Sequence, residues 1–118
     1  MKLTIATINL PADDNHGNPL DLERRRVERR LGHTFGGFTR NEAEGFWIDP
    51  ADGQEYAEKM YVYEIAGTWD AVGCIQLRQI AWDAAVELRQ KCIYMNTPLL
   101  GVQFVGPFES KAGAEVAA

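Results

Sequence analysis

The chain has 118 residues, of which 46% are hydrophobic and 25% charged, and this excludes a disordered chain and two domains of ordinary size. The net charge of −5 disfavours nucleic acid as a partner, because a phosphate backbone requires a basic surface. No apolar run reaches the roughly 18 residues of a membrane span, and the N-terminus does not resemble a signal peptide. These features predict a cytoplasmic protein that does not contact membranes.

The first segment predicts a strand followed by a helix. Residues 2–10 are rich in Thr and Ile and stop at a proline, which is typical of a strand. Asn18 and Pro19 suit the cap and first position of a helix over residues 19–31. Gly32 suits the left-handed residue that ends such a helix.

The middle of the chain predicts a connection and a hairpin. Residues 33–44 contain a Gly-Gly pair and indicate a mobile loop. A strand at residues 45–49, a Pro-Ala-Asp-Gly turn at 50–53 and a returning strand at 59–65 follow.

The last segment predicts a second helix and further strands. Asp70 suits the cap of a helix over residues 71–91, and residues 92–95 form a short strand. Residues 99–105 would return as a further strand, and residues 108–118 are small and polar, as in a frayed tail.

The β-α-β-β-α-β order predicts a single α+β domain over residues 1–107. With right-handed crossovers, its antiparallel sheet would carry both helices on one face, as in the ferredoxin-like plait. The two cysteines have no histidine pair beside them, and no glycine-rich phosphate-binding motif occurs. We therefore expect no metal, no cofactor and no identifiable catalytic residue.

The second helix carries two apolar sides. Leu77, Ala81, Ala84 and Leu88 form a stripe for the sheet, and apolar residues recur on the opposite side. We interpret that outer side as a contact face for a second copy or a foreign protein, since Trp and Arg are frequent at contact hot spots. The alternative is that the loop or the tail covers it. The proposed face consists of Ile75, Gln79, Trp82, Val86 and Arg89.

Other residues suggest a ligand or anion site. Five arginines crowd the first helix, and Arg25 and Arg29 are candidates for an anionic partner, although a solvated helix face is the simpler explanation. Tyr61 and Tyr63 alternate along one strand, so an exposed pair could stack on single-stranded RNA or be buried in a dimer. Arg40 could hold an anion between the 36–44 loop and the 45–65 hairpin.

The segment 45–53 reads Gly-Phe-Trp-Ile-Asp-Pro-Ala-Asp-Gly. Together with residues 37–40 and 62–65, it resembles a hairpin of small phage, prophage and plasmid proteins. The resemblance covers about half of the chain and implies a plait-like domain from a mobile element. It assigns no activity, and it makes Arg40, Trp47 and Asp49 the first positions to test.

These features predict a non-catalytic, dimeric interaction protein of a phage. Such a protein would inhibit a host or defence protein or sequester a small signalling molecule. The alternatives are a small-molecule-binding protein or minor enzyme that takes an anionic ligand, and a binder of single-stranded RNA.

Overall fold

A computed structural model describes residues 2–107 of the chain. The elements are β1 (Thr4–Pro11), α1 (Asp21–Phe35), β2 (Thr39–Ile48), β3 (Glu55–Gly67), α2 (Ala71–Glu87), β4 (Ile93–Thr97) and β5 (Gly101–Val105). The strands form one sheet in the order β2-β3-β1-β4-β5, and each neighbouring pair is antiparallel. The prediction of an α+β domain with an antiparallel sheet and two helices is confirmed, and β5 makes the sheet five-stranded.

The core lies between one face of the sheet and the two helices. Ile8 of β1 is opposite Tyr63 of β3 and Met95 of β4, and all three side chains are fully buried. Since side chains two apart share a face, this face continues through other buried residues of the same strands. The opposite face is open to solvent, where Ile5 is half exposed.

Helix α1 begins and ends later than the sequence predicts. It starts at Asp21, because the carboxylate of Asp14 accepts the backbone N–H of Asn18 and holds that residue in a turn. It continues past Gly32, and Gly36 adopts the left-handed conformation with φ of 93°. The glycine that ends the helix is therefore Gly36, and the prediction for Gly32 was wrong.

The prediction of a mobile loop over residues 33–44 was also wrong. Residues 33–35 complete α1, and β2 begins at Thr39 and pairs with β3 from Thr39↔Glu64 to Ile48↔Glu55. The polar composition of residues 39–44 disfavours a strand, but the exposed backbone of β3 supplies hydrogen-bond partners that override this local preference.

Beyond the body of the sheet, β2 and β3 continue as a two-stranded arm. Strand β1 reaches only Met60 of β3, so the pairs from Gly45↔Glu58 to Ile48↔Glu55 have no third strand beside them. We call residues 45–58 the arm. Its turn forms as predicted, with Gly53 at φ of 73°.

Helix α2 begins where the sequence predicts and ends earlier. Asp70 caps it by accepting the backbone N–H of Gly73. The helix ends at Glu87 instead of residue 91, because Arg89 adopts the left-handed conformation with φ of 56°. Within residues 2–107, neither helix has the length and apolar character needed to cross a membrane. The predicted tail, residues 108–118, lies outside the described residues.

Candidate functional site

Three polar side chains from three elements meet beside the core. The hydroxyl of Tyr63 on β3 donates to Oε2 of Glu28 on α1 over 2.6 Å. Nη1 of Arg40 on β2 donates to the same oxygen over 2.8 Å. The side chain of Glu28 is only 18% exposed, whereas that of Arg40 is 48% exposed. The cluster therefore joins a largely shielded carboxylate to a solvent-accessible guanidinium.

The contacts hold these groups in defined protonation states. Burial raises the pKa of Tyr63, and its hydrogen bond to Glu28 raises it further. The hydrogen bond to Glu28 likewise raises the pKa of Arg40. At neutral pH both groups are protonated even at their ordinary pKa values, and both donate to one carboxylate.

Tyr61, two residues before Tyr63, has two guanidinium groups near its ring. The central carbon of Arg24 is 4.3 Å from the centre of its ring, and that of Arg40 is 5.1 Å away. Both distances lie within the range of a cation–π contact. Arg24 also pairs with Asp21 on α1.

Arg24 is unusual because it is 4% exposed and its Nε is a buried donor without an acceptor among residues 2–107. A buried N–H without a partner costs free energy that a hydrogen bond would recover. We call Arg24, Glu28, Arg40, Tyr61 and Tyr63 the Glu28 cluster.

The Glu28 cluster has the chemistry to hold a zwitterion. Its two guanidinium groups can bind a carboxylate, with the paired geometry that arginine favours. Glu28 can bind an ammonium group, and the ring of Tyr61 can lie against a further positive charge. Within residues 2–107, no group of three or more His, Cys, Asp and Glu side chains could hold a metal ion.

The structure brings together three of the predicted ligand residues and separates two others. Arg40, Tyr61 and Tyr63 belong to the Glu28 cluster. Trp47 lies seven residues from Arg40, about 23 Å along an extended strand, and its odd spacing places it on the opposite sheet face. There it stacks on Tyr56, with ring centres 4.4 Å apart.

Asp49 has a local structural role at the end of the arm. Its carboxylate accepts the backbone N–H of Ala51 over 2.8 Å, and its backbone bonds with Gln54 and Gly53 across the turn. These contacts explain Asp49 as a turn residue, away from Arg40.

An exposed tyrosine pair for stacking RNA bases was a wrong prediction. Tyr63 is fully buried and Tyr61 is partly buried, because both lie on the sheet face that the helices cover. The residue between them, Val62, lies on the open face.

The arginines of α1 serve different surfaces. Arg26 pairs with Glu87 and Arg30 with Asp83, and these two ion pairs join α1 to α2. Arg25 and Arg29 are exposed, and neither has an ion-pair partner in the part of the chain that the structure describes. They remain candidates for an anionic partner.

The outer side of α2 is apolar and only partly covered. Ile75 is 67% exposed and Val86 57% exposed, while Trp82 is half-buried and packs against the core. Gln79 bonds with Asp83 on the same helix. The proposed contact face therefore reduces to Ile75 and Val86 with the edge of Trp82, and it stays a prediction.

Arg89 does not belong to that face. It lies beyond the last residue of α2, and its guanidinium is 3.5 Å from carboxylate oxygens of both Asp14 and Glu23. The early end of the helix rotates it away from the stripe that a longer helix would have continued.

The sequence interpretation missed Glu28 and the buried position of Arg24. A usable signal was present, because Leu20, Arg24, Val27 and Leu31 follow the spacing of a single helix face, and the other three are apolar. A charged residue on such a stripe indicates a buried polar contact. Glu28 follows Arg24 by one helical turn, but its tyrosine partner is 35 residues away and gives no local signal.

Comparison with known proteins gives a structural similarity. No family model matches the chain, and no curated protein matches it. A phage SAM lyase in complex with S-methyl-5′-thioadenosine is similar, with a TM-score of 0.61 and 11% identity over 85% of this chain and 79% of that one. The apo state of a phage SAM lyase is similar too, with a TM-score of 0.61 and 10% identity over 85% and 78%. At this identity the similarity shows a shared fold.

Proposed function

We propose that the protein is a phage counter-defence protein that binds S-adenosylmethionine, or a closely related sulfonium nucleoside, and breaks it down to S-methyl-5′-thioadenosine. The observation that carries the proposal is the fold shared with phage SAM lyase over 85% of this chain. We infer that strands β2-β3-β1-β4 form a ferredoxin-like plait, which β5 extends. Depletion of a methyl donor would act against host enzymes that depend on methylation.

The Glu28 cluster supports this ligand because its charges match those of the amino-acid end. S-adenosylmethionine carries a carboxylate, an ammonium group and a sulfonium. Arg40 would bind the carboxylate, and Glu28 would exchange its bond with Arg40 for one with the ammonium group. The ring of Tyr61 would lie against the sulfonium.

The proposed reaction needs no other reactant. The bond between the sulfonium and the γ-carbon of the amino-acid chain breaks, and its electron pair stays on sulfur, which gives neutral S-methyl-5′-thioadenosine. A carboxylate oxygen of the same molecule bonds to that carbon and closes a lactone. Neither water nor a proton is consumed, so the role of the cluster is to hold the amino-acid end in the reactive conformation.

The test is to incubate the purified full chain with S-adenosylmethionine and to follow S-methyl-5′-thioadenosine by liquid chromatography and mass spectrometry. Glu28→Gln and Arg40→Met should each weaken ligand affinity about 30-fold, since a charge-assisted hydrogen bond contributes about 2 kcal/mol. Calorimetric titration measures that affinity.

Arg30→Gln is the matched control, because it removes an arginine of α1 that pairs with α2 away from the cluster. It should leave binding and product formation unchanged. Binding without product would restrict the function to sequestration. The absence of both binding and product would contradict the proposal.

A second candidate function is inhibition of a host protein through the outer side of α2. The exposure of Ile75 and Val86 favours it, because these apolar side chains lie on one side of α2, about three turns apart, and a helix that packs only on its own sheet carries polar residues there. A host protein retained by the wild type and lost by Ile75→Glu/Val86→Glu would support this function. Equal retention by both would contradict it.

A further inference from the structure

The arm presents exposed apolar side chains. Phe46 is 64% exposed and Ile48 52% exposed. By the register of the sheet, both lie on the same face as Arg40, which is the face that the helices cover in the body. Neither helix of the described residues, 2–107, covers this face in the arm, where Phe46 and Ile48 stay exposed. Isolated two-stranded hairpins are only marginally stable in water, so an arm of this kind gains from a partner.

The arm is also strongly acidic. Residues 45–58 contain four carboxylates and no Lys or Arg. They are Asp49, Asp52, Glu55 and Glu58. Glu55 lies directly opposite Ile48, on the face with the exposed apolar side chains, and Glu44 continues that face towards the body, where it lies opposite Lys59. The arm therefore offers an apolar strip bordered by negative charge.

Helix α1 presents the complementary surface. Leu22 is 72% exposed and lies beside Arg25 and Arg29, which are one helical turn apart. These two arginines have no ion-pair partner among residues 2–107, unlike Arg26 and Arg30, which join the helices. The helix has five arginines against three acidic residues, so it is positive where the arm is negative.

We propose that the protein forms a symmetric dimer in which the arm of each copy lies on α1 of the other. Phe46 and Ile48 would cover Leu22 of the second copy, and Glu55, the arm carboxylate on the same face, would pair with its Arg25 or Arg29. The occupant is a second copy because the surface that matches the arm in charge and apolar character is on the same chain. Two-fold symmetry forms this contact twice. The proposal does not depend on the ligand of the Glu28 cluster.

The experiment measures the mass of the full chain in solution by size-exclusion chromatography with light scattering, across a range of concentrations. The wild type should have twice the chain mass of 13.2 kDa, and rising salt should weaken the association, because charge pairs contribute to it. Phe46→Ser/Ile48→Ser and Arg25→Glu/Arg29→Glu should each be monomeric at concentrations where the wild type is a dimer. Circular dichroism should show an unchanged fold, since all four side chains are exposed.

A mixture of the two double variants distinguishes the arm–α1 contact from other possible dimer contacts. The Phe46→Ser/Ile48→Ser variant keeps an intact α1, and the Arg25→Glu/Arg29→Glu variant keeps an intact arm. A 1:1 mixture should therefore recover one of the two arm–α1 contacts and show a heterodimer. Ile75→Ser/Val86→Ser on α2 is the control and should remain dimeric. A monomeric wild type, a mixture that stays monomeric, or a dimer lost only in the α2 variant would each overturn the proposal.

Discussion

Substitution of Tyr63 by phenylalanine tests whether the Glu28 cluster stabilises the fold as the structure indicates. The change removes one hydroxyl and keeps the aromatic ring, which is fully buried. The lost contact is a 2.6 Å hydrogen bond to the carboxylate of Glu28. Hydrogen bonds to charged groups contribute about 1.5–3 kcal/mol. Glu28 keeps Arg40 and some access to water, so we expect the lower end, about 1.5 kcal/mol.

Urea unfolding followed by circular dichroism measures this loss. With a slope of about 1.5 kcal/mol per molar urea, the midpoint should fall by about 1 M and the slope should stay constant. Tyr61→Phe is the matched control, because no described residue bonds to the Tyr61 hydroxyl, and it should change stability by less than about 0.5 kcal/mol.

A double-mutant cycle identifies the partner of the hydroxyl. If Tyr63 acts through Glu28, the losses from Tyr63→Phe and Glu28→Gln should not add, and the coupling should be about 1 kcal/mol. Additive losses, or a Tyr63→Phe variant as stable as the wild type, would refute the reasoning.

Three further changes probe other parts of the fold. The hydrogen bond from the backbone N–H of Asn18 lowers the pKa of Asp14 to about 2. The wild type should therefore be more stable than Asp14→Asn at pH 7, and this difference in the free energy of unfolding should disappear as the pH falls from about 4 to about 2. Gly106→Ala should lose about 1–3 kcal/mol, since a Cβ there would lie 2.5 Å from the carbonyl oxygen of Lys91. Leu77→Ala should lose about 2–5 kcal/mol, because Leu77 is fully buried.

Urea midpoints measure all three changes, and each has its own check. A carboxyl group with a depressed pKa in the folded state stabilises the protein above the unfolded pKa and loses this stabilisation on acidification. If the difference in stability between the wild type and Asp14→Asn grew as the pH fell, the role given to Asp14 would be contradicted. Gly32→Ala is the control for Gly106, because its Cβ would meet nothing within 4 Å, and it should gain about 0.5–1 kcal/mol. A Leu77 variant as stable as the wild type would place that side chain outside the core.

Turn and helix-cap preferences predicted the structure correctly where a short segment determines its own conformation. The turn at residues 50–53 and the cap at Asp70 depend on a few neighbouring residues, and both form as predicted. The α+β class follows from the periodicity of apolar residues, because this periodicity indicates which side of each helix or strand is buried, whatever the distant contacts are. The candidate site was only partly predictable: Arg40, Tyr61 and Tyr63 were selected separately, and nothing local joined them.

Element boundaries depended on contacts from elsewhere in the chain. Helix α1 passes Gly32 because a glycine inside a helix costs only about 1 kcal/mol, which packing of the following turn can offset. Phe35 supplies part of that packing, with its ring centre 5.0 Å from that of Trp69. Strand β2 likewise starts at Thr39, because the backbone of β3 supplies hydrogen-bond partners from that residue onward.

The amino-acid sequence by itself determined the class of the protein, the hairpin turn, the start of α2 and the presence of two opposed apolar sides on that helix. Tertiary structure decided which sheet face the tyrosines occupy, which arginines remain exposed and which carboxylate meets Tyr63. The reason is physical: strand alternation defines two faces but does not say which one the helices cover. That choice buries Tyr63 beside Glu28 and leaves Phe46 and Ile48 of the arm exposed.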